Sequence, residues 1–261
     1  MLMQAADTIV LPRLAHPVSG GAHGAGGSVN DGSTDSSGIG DLIFGQLLCS
    51  RLCHDLIGPT AAINAGEELI RDGDDGAEAR DLIADSARQL TARLSFFRAL
   101  FSPEGSTAGT SVRDARALVE GFLLGSRVSL DWDLASDLDR EAGSADDHFL
   151  GSDPVRLLLG MAMLACDALP RGGVVRIRLH RHRGEICIDV QASGATVRLE
   201  SAVLQALQCP DARGVTARTI HAFHLSQLVR RTRAAFSIDV VEGQCLHVNL
   251  KVPAEQASLA A

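Results

Sequence analysis

Residues 51–59 read RLCHDLIGP and lie inside a longer segment with the periodicity of an amphipathic helix. Apolar residues recur in that segment at intervals of four or seven, which places them on one face of a helix. The members of this face are Leu48, Leu52, Leu56, Ile63 and Ile70. His54 lies two residues from both Leu52 and Leu56, so its imidazole is predicted to point away from the apolar face, into solvent.

The predicted outer face around His54 has an unusual composition for a solvated helix surface. Its members by helical angle are Leu47, Ser50, Arg51, Ile57, Gly58, Ala61 and Ala65. Several of them are small or apolar, which is typical of a surface that another protein approaches closely. Pro59 adds a kink one turn past His54, because proline inside a helix removes a backbone donor and costs about 3 kcal/mol. This face is therefore the predicted partner-binding surface.

His54 and Asp55 together have the chemistry of an activated nucleophile. A neutral imidazole attacks through one nitrogen while the other keeps its proton, and Asp55 can accept that proton's hydrogen bond and stabilise the developing positive charge. The alternative is a solvated surface histidine with no function. A metal site is not predicted, because Cys49 and Cys53 are expected near the apolar face, turned away from His54.

A second helix is predicted after the turn RDGDDG at residues 71–76. Its apolar face follows a near-heptad spacing through Ile83, Ser86, Leu90, Leu94, Phe97 and Phe101. Two antiparallel helices with one narrow apolar face each cannot bury both faces alone, so we expect a homodimer in which two hairpins form a four-helix bundle. The alternative is that the hairpin packs against the rest of its own chain.

Composition divides the chain into four parts. Residues 1–39 are rich in Gly, Ser and Asp and are predicted to be a disordered tail. Residues 40–105 form the helical hairpin, and the linker after it leads into residues 111–253, where helical and alternating patterns predict an α+β unit. Antiparallel strands with helices on one face give this unit a two-layer α/β sandwich. Residues 254–261 are a predicted C-terminal tail.

Global composition excludes several functional classes. The 261 residues carry a formal net charge of -8 and are only 3% aromatic, which argues against nucleic acid as a partner and against base-stacking platforms. The longest apolar run, residues 157–166, is too short to span a bilayer, which needs about 20 residues. The N-terminus lacks the basic region of a secretory signal, and the six cysteines include no CxxC pair. We therefore expect a cytoplasmic protein that does not associate with membranes.

The pattern H-D-x-I-x-P at residues 54–59, with the hairpin and the α+β unit after it, resembles ChpT-type histidine phosphotransferases of two-component phosphorelays. It is similar, more loosely, to the dimerisation and ATPase-like domains of sensor histidine kinases. The resemblance covers residues from about 41 to 253 and is strongest over residues 48–70. It implies a dimeric bundle whose His54 takes a phosphoryl group from one receiver-domain aspartate and passes it to another. Asp55 matches the family's acidic neighbour.

The same resemblance has implications for cofactors and side activities. The chain is expected to need no cofactor of its own, because Mg²⁺ would be carried by the partner receiver domain. Gly58 departs from the small hydroxyl residue expected before the proline, which argues against intrinsic phosphatase activity, although the sequence leaves open whether any exists. The sequence names neither the donor nor the acceptor regulators.

Three nucleotide-binding elements of a kinase ATPase domain are degenerate in the second unit. Residues 160–166 (GMAMLAC) lack the asparagine that would hold Mg²⁺, residues 190–195 (VQASGA) lack the acid that would read adenine, and residues 211–216 (DARGVT) keep a single glycine. A degenerate histidine-kinase ATPase-like sandwich is therefore predicted. The alternatives are an active sensor kinase fragment that binds ATP, and a non-catalytic dimeric scaffold that binds response regulators.

A basic hairpin is the remaining candidate binding feature. It contains Arg176, Arg178, His180, Arg181, His182 and Arg183. We interpret it either as part of the surface that docks receivers or as an ordinary solvated strand face.

Overall fold

The computed structural model describes residues 7–11, 35–73, 76–102, 110–134, 149–183, 185–241 and 243–253. Two long helices, α1 (Asp35–Arg71) and α2 (Ala77–Phe101), form the predicted hairpin. The other elements are β1 (Asp7–Leu11), β2 (Thr110–Ser111), α3 (Val112–Leu123), β3 (Val128–Leu134), β4 (Phe149–Leu150), α4 (Ser152–Asp167), β5 (Gly173–His182), β6 (Glu185–Ser193), α5 (Ser201–Gln208), a 3-10 turn (Ala212–Gly214), α6 (Ile220–Thr232), β7 (Ala235–Val241) and β8 (Cys245–Pro253).

The hairpin is held together by a close helix crossing at Gly66. A Cβ atom at this position would lie 2.6 Å from Ile83 Cγ1 and 3.1 Å from the carbonyl oxygen of Ala79, so α1 and α2 approach each other to backbone distance. A larger side chain at position 66 would push the two helices apart. The predicted helical hairpin is thus confirmed, although α1 begins at Asp35, several residues before the predicted boundary.

The predicted disordered tail is wrong for two segments. Asp7–Leu11 forms an antiparallel edge strand on β7, and Leu11 is buried there. The run Thr8 to Leu11 is β-branched and apolar, a composition that favours strand pairing at an open sheet edge. Residues 35–39 belong to α1, which begins at Asp35. The rest of residues 1–39, and residues 254–261, lie outside the described residues.

The second unit is built on a six-stranded sheet in the order β1-β7-β8-β6-β5-β3. All neighbouring pairs are antiparallel except β3 and β5, which run parallel with Trp132 opposite Ile177. The expectation of an entirely antiparallel sheet is therefore wrong at this edge. A parallel pair needs a long crossover, and the chain between β3 and β5 supplies it through α4.

Helix α4 is the centre of the second unit. Its residues 157–165 are all buried, and it contacts β5, β6 and β8 of the sheet and also α6. A Cβ at Gly160 would meet Leu225 Cδ1 of α6 at 3.1 Å, so the two helices lie in direct contact at this point. Their packing covers one face of the sheet, as a two-layer sandwich requires.

The C-terminal half of α2 joins the hairpin to this unit. Phe96, Phe97 and Leu100 are buried, and the ring of Phe96 stacks on Phe122 of α3 with centroids 4.2 Å apart. The hairpin therefore does pack against its own chain along part of its surface, which was the alternative to pairing with a second copy. A capping box between Ser111 and Asp114 begins α3.

Candidate functional site

His54 projects from α1 into solvent beside Asp55. Its side chain is 81% exposed, and Nδ1 lies 3.1 Å from Asp55 Oδ1. When Nδ1 carries the ring proton and donates a hydrogen bond to Asp55, the lone pair of Nε2 is free for reaction. The predicted outward orientation of His54 agrees with this geometry.

Asp55 is held from its other side by Arg51, one turn earlier on α1. Arg51 Nε donates to Asp55 Oδ2 over 2.7 Å, and the Asp55 side chain is only 16% exposed. Arg51 Nη1 also donates to the backbone oxygen of Arg218, at 3.0 Å. Burial alone would lower the pKa of Arg51, but Asp167 and Asp55 outweigh it and raise that pKa, so the guanidinium stays charged.

Asp167, the last residue of α4, links this cluster to the buried part of the second unit. Arg51 Nη2 lies 3.3 Å from Asp167 Oδ1, and Nε2 of the buried His221 lies 3.0 Å from Asp167 Oδ2. Burial by itself raises the pKa of Asp167, but His221 and Arg51 outweigh it and hold that pKa below its ordinary value. A row of polar groups thus runs from His54 through Asp55, Arg51 and Asp167 to His221.

The backbone of Asp55 is also supported. Pro59 has no N–H to donate to the carbonyl four residues before it, which is that of Asp55. Arg93 of α2 supplies the missing donor, with Nη1 2.6 Å from the Asp55 carbonyl oxygen. The helix remains continuous through Pro59. The helix turn that contains His54 and Pro59 is therefore stabilised across the hairpin.

His54 lines a cleft of about 350 Å³ between α1 and the second unit. The cleft is bounded by Ser50, Arg51, His54, Asp55, Asp167, Leu199, Glu200, Val203, Ala217 and Arg218. The second unit thus contributes both an acidic and a basic exposed side chain, Glu200 and Arg218, next to the histidine. Residues from both units therefore border the space next to the exposed His54 ring.

The structure separates the predicted partner-binding residues into two sets. Ile57, Gly58, Ala61 and Ala65 are exposed, and Ser50 is exposed at the rim of the cleft. Leu47 and Arg51 differ from the prediction: Leu47 packs against the core and the Arg51 side chain is only 13% exposed. Both lie on a side of α1 that is covered by the second unit. The apolar periodicity of α1 alone does not show that this side is covered.

The prediction for Cys49 and Cys53 is also wrong. Both are exposed, so they do not contribute to the covered part of the apolar face. Among the described residues, no three His, Cys, Asp or Glu side chains are grouped so that they could hold a metal ion. Within the same part of the chain, no helix combines the length and hydropathy needed to cross a bilayer.

Three of the six residues of the basic hairpin lie beside a carboxylate on a neighbouring strand. Arg176 Nε lies 2.6 Å from Asp131, and Arg178 Nε lies 2.9 Å from Asp133, both on β3. His180 lies 3.5 Å from Asp189 on β6. These pairs neutralise the strand charges locally, which favours the interpretation as a solvated sheet face.

Sequence reasoning missed Arg93, Asp167, Arg218 and His221. Arg51 and Asp167 are 116 positions apart in the chain, so their contact depends on how the hairpin docks on the second unit. Because Pro59 lacks an N–H, the sequence does indicate that a backbone carbonyl one turn earlier needs another donor. It does not indicate that this donor is Arg93.

Comparison with known proteins assigns the class. The protein-family model described as the histidine phosphotransferase C-terminal domain matches residues 112–244, about half of the chain. The chain belongs to the histidine phosphotransferase family. It is 34% identical over 166 residues to the protein phosphotransferase ChpT of Brucella abortus (strain 2308), which covers 63% of this chain and 74% of that protein. A solved structure of a bacterial phosphotransferase has a TM-score of 0.66 and 26% identity, over 80% of this chain and 96% of that one.

These findings confirm the predicted resemblance and the predicted functional class. The chain is a histidine phosphotransferase, with a helical hairpin followed by a mixed α/β unit.

Proposed function

We propose that His54 is the phosphoacceptor of a two-component phosphorelay and that Asp55 orients it. The observation that carries the proposal is the contact of 3.1 Å between His54 Nδ1 and Asp55 Oδ1 on a ring that is 81% exposed. It leaves Nε2 accessible to a large partner while the other nitrogen is fixed. An exposed histidine without function would need no such carboxylate.

The transfer itself is a displacement at phosphorus. Nε2 of His54 attacks the phosphoryl group of a receiver-domain aspartyl phosphate, the bond between phosphorus and the aspartate oxygen breaks, and the receiver recovers its carboxylate. Nδ1 keeps its proton, and Asp55 balances the positive charge that develops on the ring. The reverse step delivers the phosphoryl group to a second receiver. We expect Mg²⁺ to be held by the receiver, and this chain to use no cofactor of its own.

The docking surface for the receiver is the exposed face of α1 beyond His54. Ile57, 68% exposed, and the small residues Gly58, Ala61 and Ala65 would allow a receiver backbone to approach closely. Ser50 and the residues of the second unit around the cleft would contact its active-site rim. Because response regulators are the expected partners, the proposed place of action is the cytoplasm, with neither nucleic acid nor membrane as a partner.

The second unit is proposed to be a degenerate ATPase-like domain that binds no nucleotide. Residues 157–165 of α4 are apolar or glycine and buried, and they offer no oxygen ligand for Mg²⁺. Leu225 of α6 packs on Gly160, where an open cleft would be needed for a triphosphate. The domain would instead support the geometry at His54.

We further propose a homodimer formed through the hairpins. The support is an apolar groove of about 400 Å³ on the hairpin surface, lined by Leu52, Leu56, Leu94, Phe97, Arg98, Phe101 and Ser102. Leu94 is 49% exposed in the single chain. A second hairpin would cover this groove and complete a four-helix bundle.

Label transfer from a phosphorylated receiver domain tests the phosphoacceptor. The wild type and His182→Ala, which removes an exposed histidine at the end of β5, should both become labelled with acid-labile phosphohistidine. His54→Ala should remain unlabelled while its melting temperature stays unchanged. Labelling of His54→Ala contradicts the proposal. Label acquired from ATP alone supports the kinase alternative, and receiver binding without label supports the scaffold alternative.

Sedimentation tests the dimer. Leu94→Glu should convert the wild-type dimer into a monomer, because it places a charge in the apolar groove. Leu124→Glu is the matched control, since Leu124 is 45% exposed but lies outside the hairpin, just after α3. A monomeric wild type, or equal effects of both variants, excludes this interface.

A further inference from the structure

The guanidinium of Arg51 holds the carboxylate of Asp55 through a single nitrogen. Nε donates to Asp55 Oδ2 at 2.7 Å, whereas Nη2, on the same edge of the guanidinium, lies 3.3 Å from Asp167 Oδ1. An arginine edge of this kind commonly binds both oxygens of one carboxylate in a bidentate pair. In this site the second nitrogen is taken by Asp167, and Asp55 Oδ1 remains available to His54.

We infer that Asp167 is a positioning residue for phosphoryl transfer, because it keeps Arg51 from binding both oxygens of Asp55. Without Asp167, Nη2 has no carboxylate partner except Asp55 and turns to Oδ1. His54 Nδ1 then loses its acceptor, and the ring proton moves to Nε2, the nitrogen that must attack. The inference rests on the proposed role of His54 and Asp55.

Asp167 is itself held in position by a buried residue of the second unit. It ends α4, and Nε2 of His221 on α6 lies 3.0 Å from its Oδ2, with the His221 side chain only 1% exposed. Arg51 is fixed on its remaining side by the Arg218 carbonyl oxygen at 3.0 Å. The second unit thus determines how the guanidinium is oriented on α1, which gives a domain without nucleotide a direct effect on His54.

If the contact between Asp167 and Arg51 only connected the two units, different results would be expected. Such a connection would change stability but would leave the tautomer of His54 and the rate of the chemical step unchanged. The positioning role predicts a change in both, and it predicts that the change needs Arg51 and Asp55 to be present.

Nitrogen-15 NMR of the histidine side chains measures the tautomer without any partner protein. We expect His54, assigned by its loss in His54→Ala, to be protonated on Nδ1 in the wild type and mainly on Nε2 in Asp167→Ala. Asp167→Asn keeps an acceptor for Arg51 Nη2 and should retain the wild-type tautomer. Asp133→Ala, which removes a surface carboxylate of β3 that pairs with Arg178 at 2.9 Å and not with Arg51, is the matched control and should change nothing.

Single-turnover transfer from a phosphorylated receiver supplies the second readout. Asp167→Ala should lower the rate constant about tenfold, the loss of one charge-assisted hydrogen bond, while the half-saturating receiver concentration stays within about twofold. In Arg51→Met or Asp55→Ala backgrounds the same substitution should have no further effect. If Asp167→Ala does not fold, Asp167→Val, nearer in volume to the carboxylate, carries the same test.

The outcomes separate the inference from the function on which it rests. A wild type that is not phosphorylated on His54 overturns the proposed function. A wild type that is phosphorylated, together with an Asp167→Ala variant that keeps the wild-type tautomer and rate, overturns the inference alone. Equal losses of rate in all backgrounds also overturn it, since they indicate a structural effect.

Discussion

Arg93 Nη1 donates a hydrogen bond to the backbone carbonyl oxygen of Asp55, 2.6 Å away. This carbonyl would accept from residue 59 in an ordinary helix, but residue 59 is a proline. Pro59, which follows His54 by about one helical turn, and the arginine of the neighbouring helix therefore act together on the same carbonyl. A proline inside a helix can be tolerated where another donor satisfies the carbonyl that it frees.

This relationship predicts a non-additive pair of substitutions. Arg93→Met should lower the free energy of unfolding by about 1–3 kcal/mol, because it leaves the Asp55 carbonyl without its donor. In a Pro59→Ala background the same change should cost much less, since the N–H of residue 59 can then reach that carbonyl. Urea unfolding of the four proteins measures the coupling. Additive losses would show that Arg93 acts independently of the proline.

The two helices that carry Pro59 and Arg93 could be predicted from local periodicity alone. The hairpin and the outward direction of His54 follow from residues that lie close together in the sequence. The burial of Arg51 did not follow, because a helical wheel assigns one covered face and α1 has two: one against α2 and one against the second unit.

The polar residues that contact Arg51 could not be predicted from the sequence, for a related reason. Asp167 follows an apolar helix and His221 lies on a later one, and nothing in either pattern indicates that they meet Arg51. Strand β1 was missed because its short apolar run adjoins a glycine-rich segment, whose composition dominated the interpretation of residues 1–39.

The junction between hairpin and second unit predicts a pH-dependent stability. His224 of α6 packs against Phe44 and Phe101 and lies 3.3 Å from the Leu100 carbonyl oxygen. Burial, with a contribution from nearby Arg156, lowers the pKa of His224 to about 4. The unfolded chain binds a proton below about pH 6.5 and the folded chain does not, so stability is complete above about pH 6.5 and falls as the pH decreases toward 4.

Urea unfolding at pH 7 and pH 5 checks this expectation. The wild type should lose about 1–2 kcal/mol more than His224→Gln over that interval, because the amide is neutral at both values and can still donate to Leu100. Other groups that titrate in this range affect both proteins alike. An identical pH dependence in the two proteins would falsify the assignment to His224.

Two glycines of α1 are expected to respond in opposite ways to alanine. At Gly58 a Cβ would have no atom within 4 Å, whereas at Gly66 it would lie 2.6 Å from Ile83 Cγ1. Gly58→Ala should raise the free energy of unfolding by about 0.5–1 kcal/mol, because glycine is unfavourable inside a helix. Gly66→Ala should lower it by about 1–3 kcal/mol, because the hairpin must open.

The same Gly58→Ala variant tests the docking surface. Its methyl group lies one turn from His54 on the face proposed to meet the receiver backbone, so the half-saturating receiver concentration should rise several-fold. The rate constant of transfer at saturation should remain near that of the wild type. A more stable protein with unchanged receiver affinity would place the docking surface elsewhere on α1.

The charges at the rim of the cleft are expected to act on the transferring phosphoryl group with opposite signs. Arg218 and Glu200 both lie on the second unit and line the cleft that contains His54, and both are exposed. Arg218→Gln should slow transfer about two- to fivefold, since it removes a cation near a phosphoryl group, and Glu200→Gln should accelerate it by a similar factor.

Single-turnover transfer at low and high salt measures both effects. Because the two side chains are exposed, the changes should shrink as the ionic strength rises. The backbone oxygen of Arg218 that accepts from Arg51 is unaffected by substitution of its side chain, so the geometry at Asp55 stays the same. Changes of the same sign in the two variants would mean that the cleft residues act through receiver contacts, and not through the charge of the phosphoryl group.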